Sequence, residues 1–149
     1  MFDHSSALAL GQGLQIRIPS AAGYCALKLS AWVNRSVTGE VRDAPDIAVA
    51  LYWYVESQEV LNRLYDTEEG VEILTTFNYD ASLGAAWLLG RDIAGELGPL
   101  RVQEFRQRWS DEAQRRLAAE LKDHTIPAWP TDPARRAQLV DALCSGVWT

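Results

Sequence analysis

Lys28, Trp32, Arg35, Arg42, Asp43 and Asp46 are the residues of this 149-residue chain whose types and spacing could do chemistry. Lys28 and Trp32 stand four apart and Arg35 three further on, so a helix would project all three from one side. Asp43 and Asp46 share a face at i and i+3, and the polar stretch 36–41 between the two sets reads as a turn. A helical hairpin through that turn would set cations and an indole against two carboxylates. Such a face offers cationic groups of the kind that hold a phosphate in line. It can equally be an ordinary interhelical ion pair, Lys28 or Arg35 with Asp46, that fastens the hairpin. Spacing alone favours the ion pair.

The elements that must position these residues are mostly helical. Leu14–Ile18 alternates apolar and polar between Gly11/Gly13 and Pro19-Ser20, the pattern of a half-buried strand. A lone strand needs a partner, supplied by residues 1–10 or by a sheet continued upstream. Ser20 is the expected N-cap of a helix ending near Asn34-Arg35, with Tyr24, Leu27 and Ala31 on its apolar face and Lys28 and Trp32 on the flank. Asp43 should cap the next helix, with Pro45 in its first turn and Ile47, Leu51 and Tyr54 inward. Helices are expected over 57–65 and 67–75 with Asp66 as a cap between them, and over 81–97 after a break at Asn78-Tyr79-Asp80, stopped by Gly98-Pro99. Val102, Phe105, Trp109, Ala113, Leu117 and Leu121 recur at three-to-four spacing and predict one long amphipathic helix over 100–122. A proline-rich loop, 124–133, and a short helix, 134–143, close the chain. The fold expected is α-rich (α+β), a single domain. Residues 1–19 form the β element, 20–98 the helical region with the site motifs, and 99–149 the C-terminal helices.

The run K-L-x-A-W-x-x-R from Lys28 to Arg35, followed by R-D-x-x-D from Arg42 to Asp46, resembles the distal part of small bacterial nucleotidyltransferases of the DNA polymerase β superfamily. AbiEii-type abortive-infection toxins are among them, with K-L-L-A-W-x-D-R and then K-D-x-x-D-L. Leu64-Tyr65-Asp66, Asn78-Tyr79-Asp80 and Ala85 to Asp92 are similar to further segments of those proteins, so the likeness spans about residues 12–95. Asn34 stands where the family has Asp, and Arg42 where it has Lys. The resemblance implies transfer of a nucleoside monophosphate from an NTP to an RNA or protein acceptor. Lys28 would reach the phosphates, Trp32, Arg35 and Arg42 would complete the nucleotide-binding face, and Asp43 and Asp46 would be supporting catalytic residues. The family's Mg²⁺ ligands lie in an upstream Gly-Ser turn and Asp-x-Asp strand that this sequence does not contain. Mg²⁺ is therefore expected only where that catalytic half is supplied, and this chain is expected to hold no metal itself. Gly90-Arg91-Asp92 is either a docking patch near the nucleotide or a surface ion pair.

The rival expectation is a non-enzymatic interaction module. Its partner would be the missing catalytic half, an antitoxin or a second copy of the chain, met through the apolar strand edge at 14–18. A net charge of −6 argues against an autonomous nucleic-acid binder, although nine of the fourteen basic residues lie between Arg91 and Arg136. Apolar runs fall short of the roughly 18–20 residues that span a bilayer. Cys25 and Cys144 lack metal-like spacing and read as reduced, packed cysteines, and the expected location is cytoplasmic. His4 and His124 are far apart and read as loop histidines. P-loop, G-x-G-x-x-G and G-x-S-x-G motifs are all absent.

Overall fold

The structure, a computed structural model, describes residues 5–149; His4 and the other residues before Ser5 lie outside that range. A hairpin of β1 (Ser6–Ala9) and β2 (Gln15–Ile18) leads into eight α-helices. These are α1 (Ala21–Arg35), α2 (Asp43–Glu56), α3 (Gln58–Tyr65), α4 (Glu68–Thr76), α5 (Ala81–Leu97), α6 (Pro99–Arg108), α7 (Asp111–Glu120) and α8 (Pro133–Val147). The helix-rich α+β class expected from the sequence is the one observed, with the two strands confined to the N-terminal end.

Residues 6–9 supply the partner strand. They pair antiparallel with β2 in the register Ser6↔Ile18, Leu8↔Ile16. Gly11, Gln12 and Gly13 all take positive φ in the turn, which two glycines make affordable. Every residue of both strands is exposed. Leu8, Ile16 and Ile18 fall on one face of the hairpin, and Leu10 and Leu14 extend the apolar surface beside the turn. These five residues keep 41–59% of their surface in solvent.

The helices pack around α5, whose Ala85, Ala86, Leu88, Leu89 and Ile93 are buried. Its closest partner is α8, which contributes Leu139, Val140, Leu143 and Val147. Two glycines set that closeness. A Cβ at Gly90 would collide with the Leu143 carbonyl, and one at Gly146 with the Trp87 carbonyl, so the two backbones touch where side chains are missing. The hairpin of α1 and α2 lies across α5, burying Cys25, Leu29 and Trp32 from α1 and Ile47 and Leu51 from α2. Cys25 and Cys144 are free and buried; burial pushes both thiols up, that of Cys144 to about 12. No described helix is long and apolar enough to cross a membrane.

Four local expectations are corrected. The helix over 100–122 is two helices. Trp109 is extended (φ −79°, ψ 125°), and the Ser110 hydroxyl accepts from the Ala113 N–H to start α7, with Asp111 and Glu112 in its first turn. The apolar stripe is real, but a capping serine interrupts it. Asp43 is not an N-cap but sits inside the first turn of α2; Asp66 is a cap as expected, at the C-terminal end of α3, while Thr67 caps α4. The buried stripe of α1 is rotated from the expected one, since Leu27 is 42% exposed and the helix packs on Cys25, Leu29 and Trp32. Finally, α8 begins at Pro133 behind an Asp132 cap and runs to Val147, past the Leu143 expected.

Candidate functional site

Ser20 starts α1 as expected, accepting from the Gly23 N–H at 3.0 Å while its hydroxyl donates to Glu96 on α5 at 2.8 Å. This fixes where the helix leaves the hairpin. Eight residues on from Ser20, about 12 Å along the helix, Lys28 emerges on the surface facing α2. Its ammonium lies 2.7 Å from Asp46 and 3.9 Å from Asp43. Arg35, two turns further, donates through Nη1 to both Asp43 oxygens at 3.0 and 3.1 Å. The first helix thus meets the second through two cations and two carboxylates.

The four groups differ in depth. Asp43 keeps only 1% of its side chain in solvent, against 28% for Lys28, 37% for Asp46 and 40% for Arg35. A buried carboxylate is costly without counter-charge, and here two cations converge on it. The hydrogen bond to Asp46 raises the Lys28 pKa, while burial and the Asp46 charge raise that of the Tyr24 hydroxyl. Lys28 also stands 5.5 Å from the centre of the Tyr24 ring, which in turn contacts the half-exposed Trp53 at 5.8 Å. The exposed side of this region therefore runs from the hairpin root past Tyr24 and Trp53 to Lys28 and Arg35.

Two of the expected members lie elsewhere. Trp32 does not share the face of Lys28 and Arg35: it is fully buried, and its indole N–H donates to the Ala113 carbonyl of α7 at 3.1 Å. It offers no surface to a nucleotide and serves as a core strut. Arg42 turns to Glu40 at 3.3 Å and remains 68% exposed, apart from the Lys28–Arg35 cluster.

The other resembling segments carry ion pairs of their own. Arg63, just before Leu64-Tyr65, makes a two-pronged bond to Asp92 at 2.6 and 2.9 Å, and the buried Tyr54 hydroxyl donates to the same carboxylate at 2.9 Å. Burial and that carboxylate push the Tyr54 pKa far up. Arg91 pairs with Glu69 on α4. Asp80 caps α5 through the Leu83 N–H and pairs with Arg135 of α8 at 2.7 Å. Sequence reading singled out Asp80 and Asp92 but missed Arg63 and Arg135 as their partners, because the pairs are 29 and 55 residues apart. Around Asp92, adjoining clefts of about 560 and 420 Å³ open at the root of the hairpin, sharing Ser20, Tyr54, Glu59 and Asp92.

Among the described residues no group of three or more His, Cys, Asp or Glu side chains could hold a metal ion, and Asp43 and Asp46 are already engaged by Lys28 and Arg35. No family model, no curated protein and no solved structure matches the chain.

Proposed function

We propose that this chain is a helical module of the nucleotidyltransferase type that performs no transfer alone. It acts by docking its N-terminal hairpin onto a β-sheet that carries the metal-holding carboxylates. The observation that carries this reading is the apolar hairpin face, Leu8, Leu10, Leu14, Ile16 and Ile18, open to solvent as a contiguous set. A two-stranded hairpin gains independent stability only from further strands or a packed face, and its free edges template both. The resemblance at Lys28–Asp46 supports the choice of partner. A sheet added at the hairpin would bring its strand ends to the start of α1, with Lys28 two helical turns away. Within such a complex Lys28 and Arg35 would face the nucleotide phosphates, held extended by Asp43 and Asp46. The acceptor would be an RNA or a protein.

A second reading is favoured by the closure of the ionic cluster. Two cations against two carboxylates leave no net positive charge to draw a triphosphate, as a pure interaction module would allow. Its partner would be a second copy of the chain or an antitoxin.

Site-specific photo-crosslinking in the cells that make the protein tests the proposal. A photoreactive residue replaces Ile16 in one experiment and the exposed Gln103 of α6 in the other. The expected result is a crosslink from position 16, absent from position 103, to a chain containing a Gly-Ser turn and an Asp-x-Asp strand. Crosslinks from position 16 only to a second copy would establish the interaction-module reading instead. A residue 16 that crosslinks to nothing would overturn both.

A further inference from the structure

Arg136 is the only buried cation among the described residues, with 5% of its surface exposed. Arg35, Arg63 and Arg135, all more exposed, each meet a carboxylate, but Arg136 meets none. Its Nε donates to the Ala118 carbonyl at 3.2 Å, near the C-terminal end of α7. Its Nη1 donates to the Thr131 carbonyl at 2.8 Å and the Pro130 carbonyl at 3.3 Å. Those dipoles anchor the loop and cap the helix, yet they supply only fractions of a charge. Nη2 has no hydrogen-bond partner among the described residues.

The guanidinium lines a pocket of about 370 Å³ between the end of α7 and the start of α8, a size suited to a small-molecule ligand. Lys122 and His124 line the same pocket, are exposed, and make no ion pair among the described residues. Asp123 is the one acid in the lining. It is turned back on the loop, where one oxygen accepts from both the N–H and the hydroxyl of Thr125, and those bonds hold its pKa low. The apolar part of the lining is Ile126, Ala128, Pro130 and Trp129, whose indole N–H donates to the Leu121 carbonyl at 2.8 Å. The pocket therefore joins a buried guanidinium lacking counter-charge, the Lys122 ammonium, the His124 imidazole and an apolar indole.

We propose that this pocket binds an oxyanion, the phosphate or carboxylate of a small molecule whose apolar body lies against Trp129. Arg136 is the buried anchor, and Lys122 and His124 close on the ligand from the mouth. A charge-assisted bond to the free guanidinium nitrogen supplies the missing counter-charge. The inference stands independently of the hairpin and of the nucleotidyltransferase reading.

The test is titration of the full chain with inorganic phosphate, and separately with acetate, at constant ionic strength against chloride. The readout is the Arg136 Nε–H and Trp129 Nε1–H resonances. Saturable shifts at both positions are expected, weakened about tenfold in the Lys122→Gln/His124→Gln double variant. Both substitutions are at exposed positions, and an unchanged melting temperature will confirm that the variant folds. Saturation with phosphate alone identifies a phosphate site, and saturation with both anions a general oxyanion site. Shifts that stay linear and equal those in chloride would overturn the proposal, as would saturation that the double variant leaves untouched.

Discussion

Asp43 and Arg136 are both buried charges, and the protein treats them in opposite ways. Asp43, between α1 and α2, receives two hydrogen bonds from Arg35 and has Lys28 at 3.9 Å, so its charge is closed off within the chain. Arg136, between α7 and α8, is held by three neutral carbonyls and faces a cavity. The first arrangement is what fastening two helices requires, since a complete ion pair needs nothing further. The second fastens a loop and leaves charge over. The contrast places the motif-bearing residues in the closed arrangement and the residue that no motif marks in the open one.

The harshest way to break the comparison is Arg136→Met. Methionine keeps much of the buried volume but leaves the Ala118, Pro130 and Thr131 carbonyls without their donor, each a loss of roughly 1–3 kcal/mol if water cannot replace it. Because the pocket admits water, we expect a net loss of about 3 kcal/mol in urea unfolding without added phosphate. A variant as stable as the parent would mean the buried guanidinium contributes nothing net and exists only for its ligand. Arg35→Ala should cost less, about 2 kcal/mol, because it strands the Asp43 carboxylate but leaves Lys28 close by. The sharper form is a double-mutant cycle. In an Asp43→Ala background the same change should cost well under half as much, and an undiminished cost would show that Arg35 stabilises through packing and not through Asp43.

The closed arrangement was the more legible in the sequence, for a local reason. Lys28, Arg35, Asp43 and Asp46 lie within one helix–turn–helix, where spacing fixes which faces can meet. Even so, spacing alone paired the cations with Asp46 and passed over Asp43, because depth cannot be read from an i, i+3 pattern. It also grouped Trp32 with the surface cations, when the fully buried indole is bonded to Ala113 of α7, 81 residues away in sequence. Ser20 and Gly98-Pro99 marked helix ends correctly because capping and φ restriction act within a few residues. Ser110 acts just as locally but lay hidden inside an unbroken apolar period. Arg136 had no sequence signal at all. It is one basic residue among nine in the C-terminal half, and its burial follows from how α7 and α8 pack.

The mildest probe concerns a pair intermediate between the two, Asp80 with Arg135, which joins the start of α5 to the start of α8 and is about 30% exposed on both sides. The hydrogen bond from Arg135, and those from the Leu83 and Ser82 backbones, hold the Asp80 carboxyl below its ordinary value despite partial burial. A carboxyl lowered in the folded state contributes stability above its unfolded pKa of about 3.9. That contribution disappears as pH falls through the lower folded value, since only the unfolded chain binds the proton readily at first. Asp80→Asn keeps a side-chain oxygen for the Leu83 cap but removes the titration. The variant should be less stable than the parent at pH 7, by under about 1 kcal/mol given the exposure of the pair, and should lose less stability between pH 5 and about pH 3. Thermal unfolding across that range reads the difference. Parallel acid limbs in parent and variant would show that Asp80 joins the two helices as a cap alone, with the Arg135 charge adding nothing.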